Sequence, residues 1–200
     1  PARHGELVFA EAAAAVTTFA GTVKEQYRDQ DKLQDVDFEL ELEGFRVNGR
    51  LDHLWSDTMI RYRCAKVKPK DEVRTWIEHL LLNTLQQEGY PVATRLVMTD
   101  AVKSFSPVEN GAAHLQSLLQ LYWQGLLEPL RFFPQSSMAY GKNQEWRSDR
   151  AIKAWEGGPY QTGDKEDPHF LLCFGQTLPF DQEFERIAHL LLEPLLQHQQ

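Results

Sequence analysis

The chain has 200 residues, 42% hydrophobic and 25% charged, which is enough for one domain with a sizeable core and ordinary for a globular class. Its 29 acidic against 21 basic residues leave a net charge of −8, with a sequence pI near 5.4. That balance argues against strong autonomous DNA binding, which needs a basic face to release counterions from phosphates.

No apolar run approaches the ~20 residues of a membrane-crossing helix, and no secretory signal is visible at the start. The two cysteines, Cys64 and Cys173, lie in apolar runs without paired spacing. They read as buried thiols in a reducing, cytoplasmic compartment, since two such residues make neither a disulfide framework nor a zinc site. Beginning at Pro1 without a methionine, the chain reads as a fragment of something longer.

Residues 6–28 predict a helix, because alanines dominate Ala10 to Ala15; Leu7, Ala10, Ala14, Phe19 and Val23 roughly mark its inner face. Residues 36–43 alternate strictly, with Phe38, Leu40 and Leu42 opposed to Glu39, Glu41 and Glu43, the period of a half-buried strand. After Gly44 a hairpin partner follows, with Val47, Gly49, Leu51 and Trp55 on one face and Arg46, Asn48, Arg50 and Asp52 on the other. A third strand is expected over about 58–67, with Ile60, Tyr62, Cys64 and Lys66 on one side.

Residues 71–87 carry Val73, Trp76, Ile77, Leu80, Leu81 and Leu85 at helical spacing, with Asp71 as N-cap and Gly89 and Pro91 as terminators. A strand at 93–99 and a continuation or return at 101–106 lead to a helix at 109–127, faced by Leu115, Leu118, Leu119, Tyr122 and Leu126. Ser136 or Ser137 caps a short helix to Gln144. A helix at 148–156, a polar loop at 161–168 and a short helical segment from Phe170 to Phe174 precede the last helix, 181–197. The expected architecture is α/β in one domain over 1–200: a small mixed sheet flanked by helices.

Strand, strand and helix bearing a carboxylate and a lysine form the outline of a metal-dependent nuclease core. Such a site takes one acid from the first strand, and a second acid and a lysine two residues apart from the next. The acids hold Mg²⁺ through oxygen ligands, and the metal activates water and steadies the transition state. Asp52 fits the first acid and Lys66 the lysine, but the second acid's position holds Cys64, a soft ligand ill suited to Mg²⁺. Spacing alone equally allows Asp52 to be a surface residue before a turn and Lys66 a strand-edge charge.

Other constellations are weaker. Six histidines outside the first turn lack ligand spacing, and His79, beside an apolar stripe, reads as a core or rim histidine. No nucleophile elbow and no phosphate-cradling glycine loop is present. Arg131-Phe-Phe-Pro134 reads as packing in preference to a base-stacking wedge. The basic strip near the third strand (Arg46, Arg50, Arg61, Arg63, Lys66, Lys68 and Lys70) is the candidate for DNA contact, led by Arg46, Arg50, Arg61, Arg63 and Lys68.

Taken together these residues resemble a family. The opening Gly5-Glu-Leu-Val-Phe9, Val47-Asn-Gly-Arg-Leu-Asp52, Trp76-Ile-Glu-His-Leu80, Pro129-Leu-Arg-Phe-Phe-Pro134, Ala151-Ile-Lys-Ala-Trp-Glu-Gly157 and Glu193-Pro-Leu-Leu196 are similar, in order and spacing, to the C-terminal domain of the gamma subunit (RecC) of bacterial exodeoxyribonuclease V. The resemblance implies a RecB-type, PD-(D/E)XK nuclease-like core with extra C-terminal helices. Active relatives of that fold carry a metal-binding histidine where Phe9 stands and an acid where Cys64 stands. Asp52 and Lys66 are then vestigial, and neither catalysis nor a cofactor or metal is expected.

In the family the subunit assembles with a RecB-like helicase–nuclease and a RecD-like helicase, and the complex degrades DNA from double-strand ends until a Chi sequence prompts recombination. The implied role is a noncatalytic domain that assembles the complex and guides DNA, with no membrane partner. The alternatives are an active metal-dependent nuclease, with Glu78 or another helix acid in place of the lost ligand, and an autonomous protein-interaction module.

Overall fold

The computed structural model describes residues 2–159, 161–175 and 177–200. Helix α1 (Ala2–Glu25) leads into a hairpin of β1 (Val36–Leu42) and β2 (Phe45–Leu51), followed by β3 (Met59–Tyr62) and α2 (Pro69–Leu85). Strands β4 (Thr94–Val97) and β5 (Val102–Phe105) precede five helices: α3 (Gly111–Leu127), α4 (Pro134–Gly141), α5 (Ser148–Glu156), α6 (Pro168–Phe174) and α7 (Gln182–His198). Short 3₁₀ turns sit at Lys142–Gln144 and Asp164–Glu166.

The α/β class holds, but the single expected sheet is two. Strands β1 and β2 pair antiparallel, Val36 opposite Leu51 through Leu42 opposite Phe45. The two-residue loop Glu43-Gly44 has φ of 47° and 85°, the doubly left-handed pattern whose twist suits a tight hairpin and which glycine adopts without penalty. The second sheet orders β3-β4-β5, with β3 parallel and β5 antiparallel to β4. Between the two sheets, Leu54, three residues past β2, forms an isolated antiparallel bridge with Met59 of β3.

Strands β3 and β4 are covered on both faces. Met59 and Leu96 belong to the main core with Trp76, Leu80 and Leu192. Their neighbours Ile60 and Val97 turn the other way and pack with Phe19 and Val23 of α1 and with Trp55. Alternation therefore sends successive apolar side chains into two different cores. A third cluster joins Phe133, Tyr140, Ala151, Trp155, Phe184 and Ala188 across α4, α5 and α7, which bears out packing as the role of Phe133.

Several expectations fail for local reasons. The third strand stops at Tyr62; Cys64 and Lys66 alternate on paper but lie in an exposed connection. Both thiols are exposed, not buried. On α1 only Phe19 and Val23 reach the core, while Leu7, Val8 and Phe9 stay exposed, because an alanine-rich helix needs no partner to form. By length and composition its Gly5–Glu25 segment is apolar enough to cross a membrane, contrary to the reading above; its alanines had hidden the run.

Asp71 is not the N-cap of α2 but its third residue, accepting the Lys68 N–H at 3.0 Å. That helix ends at Gln86, in the left-handed region, before Gly89. Ser136 and Ser137 lie within α4 instead of capping it. Tyr122 and Leu126, expected on the inner face of α3, are exposed. Helices α6 and α7 form where expected, the latter capped by Asp181 Oδ1, which accepts from Glu183 N and Phe184 N at 3.1 Å each.

A buried polar group fastens α2 to the sheet. His79 Nε2 donates to the Ser106 carbonyl at 3.0 Å, so in the neutral ring Nδ1 accepts from the Thr94 hydroxyl at 2.9 Å. Asn83 Nδ2 donates to the carbonyls of His79 at 2.8 Å and Val92 at 3.0 Å, and its Oδ1 accepts from Val108 N at 3.0 Å. Burial lowers the His79 pKa to about 4, against the raising effect of the Ser106 carbonyl, with the nearby His198 lowering it further.

Because the unfolded chain takes up this proton near pH 6.5 and the fold resists it until about pH 4, stability is full above pH 6.5 and lost as pH falls through that window. The loss attributable to His79 approaches about 3 kcal/mol at its acid end. Urea midpoints measured from pH 7 to pH 4.5 are expected to fall for the wild type. A His79→Gln variant should start less stable and show a flatter pH profile; an identical slope in both would refute the assignment.

Candidate site on the strand–strand–helix face

Asp52 follows the last residue of β2, Arg61 lies in β3, and Glu78 lies two turns into α2. Since Arg61 alternates with Ile60, it faces the same side as Met59, toward α2. Its Nε donates to Glu78 Oε2. Its Nη1 donates to the Asp52 carbonyl at 2.7 Å and lies 3.1 Å from Asp52 Oδ1. Arg74 Nε adds a second cation to Glu78, at 3.2 Å from Oε1.

A guanidinium therefore stands between the two carboxylates that the strand–strand–helix core presents. Arg61 and Glu78 have side chains only 14% and 19% exposed, so the pair is substantially desolvated and each partner depends on the other. Arginine keeps its charge at any ordinary pH and fits carboxylates through a fixed fork. Among the described residues no group of three or more His, Cys, Asp or Glu is arranged to hold a metal.

The other nominated residues are not gathered here. Phe9 is 75% exposed on α1 and belongs to none of the three buried clusters. Cys64 and Lys66 are exposed beyond the end of β3. The backbone carbonyl of Lys66 accepts from Arg63 Nη2 at 3.1 Å, while the Arg63 fork grips Asp71. Burial would raise the Asp71 pKa, but the Arg63 guanidinium and the Lys68 N–H outweigh it and hold it below the usual range.

Most of the basic strip is spoken for by carboxylates. Arg46 pairs with Glu39 and Glu41, at 3.2 and 3.7 Å. Arg50 forks Asp37 at 2.6 and 2.8 Å, which holds that carboxyl low. Arg61 and Arg63 are paired as above. Lys66, Lys68 and Lys70 form no ion pair among the described residues. The element that sequence reasoning missed is the Arg61–Glu78 pair; its one signal was an arginine on the inner face of an otherwise apolar strand.

The RecC C-terminal domain family model matches residues 1–145, which includes this face and excludes α5 to α7. Three curated relatives carry the name RecBCD enzyme subunit RecC. The Buchnera aphidicola (subsp. Schizaphis graminum) protein is 23% identical over 179 residues, 81% of this chain and 16% of that protein. The Haemophilus influenzae protein is 28% identical over 163 residues, 78% of this chain and 14% of its own length. The Escherichia coli protein is 23% identical over 168 residues, 75% and 15% respectively. The alignments thus take in only 14–16% of each relative's length.

Replacing Arg61 with glutamine leaves the partly buried Glu78 without its principal partner and is expected to cost about 1–3 kcal/mol. Asp52→Asn, at a half-exposed position, is expected to cost under about 1 kcal/mol. Urea unfolding of both variants at pH 7 checks the order; equal losses would show that neutralising Glu78 is not the role of Arg61.

Proposed function

Because this chain belongs to the RecC C-terminal domain family, we propose that it is a noncatalytic, nuclease-like domain of the RecBCD type. In this reading it assembles with RecB-like and RecD-like subunits and guides DNA during repair of double-strand breaks by homologous recombination. The Arg61 guanidinium between Asp52 and Glu78 carries the noncatalytic part. A PD-(D/E)XK-type core needs its first-strand acid free for a divalent metal, and here Asp52, like the helix acid Glu78 that could have replaced the lost one, neutralises an internal arginine. Cys64 and Phe9, which the family resemblance aligns with the second acid and the first-helix histidine, carry no metal-binding carboxylate or imidazole and lie off this face.

The assembly part is supported by what the surface leaves uncovered. Tyr122, Trp123, Leu126 and Leu127, at the end of α3, are 55–73% exposed. Large aromatic and aliphatic side chains at adjacent helical positions are the usual material of a protein interface and an unusual one for open water. A scaffold that is covered by sister subunits explains them without a catalytic role.

Incubation with linear duplex and single-stranded DNA in Mg²⁺ and in Mn²⁺, beside Asp52→Ala and Lys66→Ala variants, tests the noncatalytic part. The expected result is no cleavage above the variants; cleavage abolished in both would mean that the site is alive. Mixing with RecB-like and RecD-like subunits, followed by size-exclusion chromatography, tests assembly. Co-elution is expected, and a Trp123→Ser/Leu127→Ser double variant is expected to weaken it.

A further inference from the structure

A cavity of about 660 Å³ opens between α4, the 3₁₀ turn at Lys142–Gln144 and α5, with Pro69 of α2 and Gly157, Gly158, Pro159 and Gln161 also on its wall. Its polar lining is Lys142, Arg150 and Lys153 with the amides Gln135, Asn143 and Gln161. Among the described residues no carboxylate lines it, although acids outnumber bases 29 to 21 in the chain.

The acids close by in sequence are occupied elsewhere. Asp149 pairs with Arg147 at 3.0 Å, and Glu156 pairs with Lys165. Asp164 accepts from Ser136 N at 2.7 Å and Ser136 Oγ at 2.8 Å. Glu145 pairs with Arg150. Arg150 Nη1 also donates to the Lys142 carbonyl at 2.9 Å, so that guanidinium is a fixed, partly neutralised part of the wall. Lys142 and Lys153 are exposed and form no ion pair with the described carboxylates.

The wall itself is set by close backbone approach. Gly157 has a φ of 71°, and a Cβ there would stand 2.4 Å from Gly163 N; one at Gly163 would stand 2.2 Å from the Trp155 carbonyl. No larger residue fits at either position. Beneath them Trp155 is buried in the third cluster. The cations are thus presented on a preformed surface, with Arg150 and Lys153 one helical turn apart.

We propose that this groove holds the phosphodiester backbone of a single DNA strand, with Lys142 and Lys153 supplying the mobile charges and Arg150 the fixed one. The assignment rests on the DNA-guiding reading above. Cations and amide donors recognise phosphate and are indifferent to sequence. Because the charges lie within a concavity between two helices, a flexible single strand can be laid along them more readily than a stiff duplex.

The test is fluorescence anisotropy of a labelled oligothymidylate against the full chain across a salt series. It compares the wild type, Lys142→Gln/Lys153→Gln, and Lys24→Gln/Lys32→Gln as a control at exposed positions outside the groove lining. Matching circular dichroism melts ensure that folded proteins are compared; both groove lysines are exposed, and Lys153→Gln alone serves if the pair unfolds. The groove variant should bind roughly tenfold more weakly, and its slope of log affinity against log salt should be shallower by about 1.4, at about 0.7 per contact. The control should stay near the wild type.

Unchanged binding in the groove variant, or no wild-type binding at low salt, would overturn the proposal. Neither would touch the noncatalytic reading, which stands on the cleavage assay. Duplex binding tighter than single-strand binding would overturn it as well. So would displacement of the strand by a mononucleotide at equal phosphate concentration, since the groove would then be a site for a lone phosphate.

Discussion

The fold hangs on one buried helix face. Along α2, Trp76, His79, Leu80 and Asn83 are all nearly inaccessible, and the two polar members make every hydrogen bond they need. Through His79 and Asn83 the helix grips β4, the segment after β5 and the loop before β4 at fixed angles. The same helix carries Glu72, whose carboxylate takes Lys103 of β5 and the Gln199 side chain of the tail. The tail in turn exchanges backbone hydrogen bonds with Ser104, at 2.8 and 3.0 Å, and so covers the free edge of β5. Apolar packing alone would permit α2 to slide; a directional polar set, fully satisfied, permits one register.

That register is what brings Glu78 to Arg61. One face of α2 is fixed by His79, and the residue before it emerges at the rim, where the strand's arginine arrives from β3. The outcome is local neutrality where two carboxylates would otherwise stand unpaired. The same economy runs across the hairpin, where glutamates and aspartates of β1 sit opposite the arginines of β2. In a chain with eight more acids than bases, the cations left over matter more than the cations counted.

Sequence patterning revealed the elements whose partners are near in the chain or whose burial is one-sided. Strict alternation exposed β1 and β2, and helical stripes exposed α2 and α7, because one apolar face against one core leaves a clean period. It misplaced the end of β3, since Arg63 to Lys68 alternate in polarity but keep only isolated backbone bonds past Tyr62, from Arg63 N to the Val97 carbonyl and from Thr99 N to the Ala65 carbonyl. The inner face of α1 was illegible because alanine fits a buried or an exposed position equally well. As for the site, Asp52 and the loss at Cys64 could be read by spacing. The Arg61–Glu78 pair could not, because its members are 17 positions apart and only the α2 register makes them neighbours. The charge-bearing groove was invisible for a related reason: its cations come from two segments, the 3₁₀ turn and α5, and what distinguishes them is the distraction of the neighbouring acids.

Helix α1 meets the body only through its last two turns, by Phe19 and Val23. Among the described residues its earlier turns carry neither buried side chains nor bonds to other elements, so their opening is decoupled from that of the core. They form a separate cooperative unit with a free energy near that of an isolated helix. Amide protons there exchange through local fraying, while those of β3 and β4 wait for the whole domain to open. A surface that docks on α1 would collapse that difference in protection, so exchange along this one helix reports on assembly without reference to any other part of the molecule.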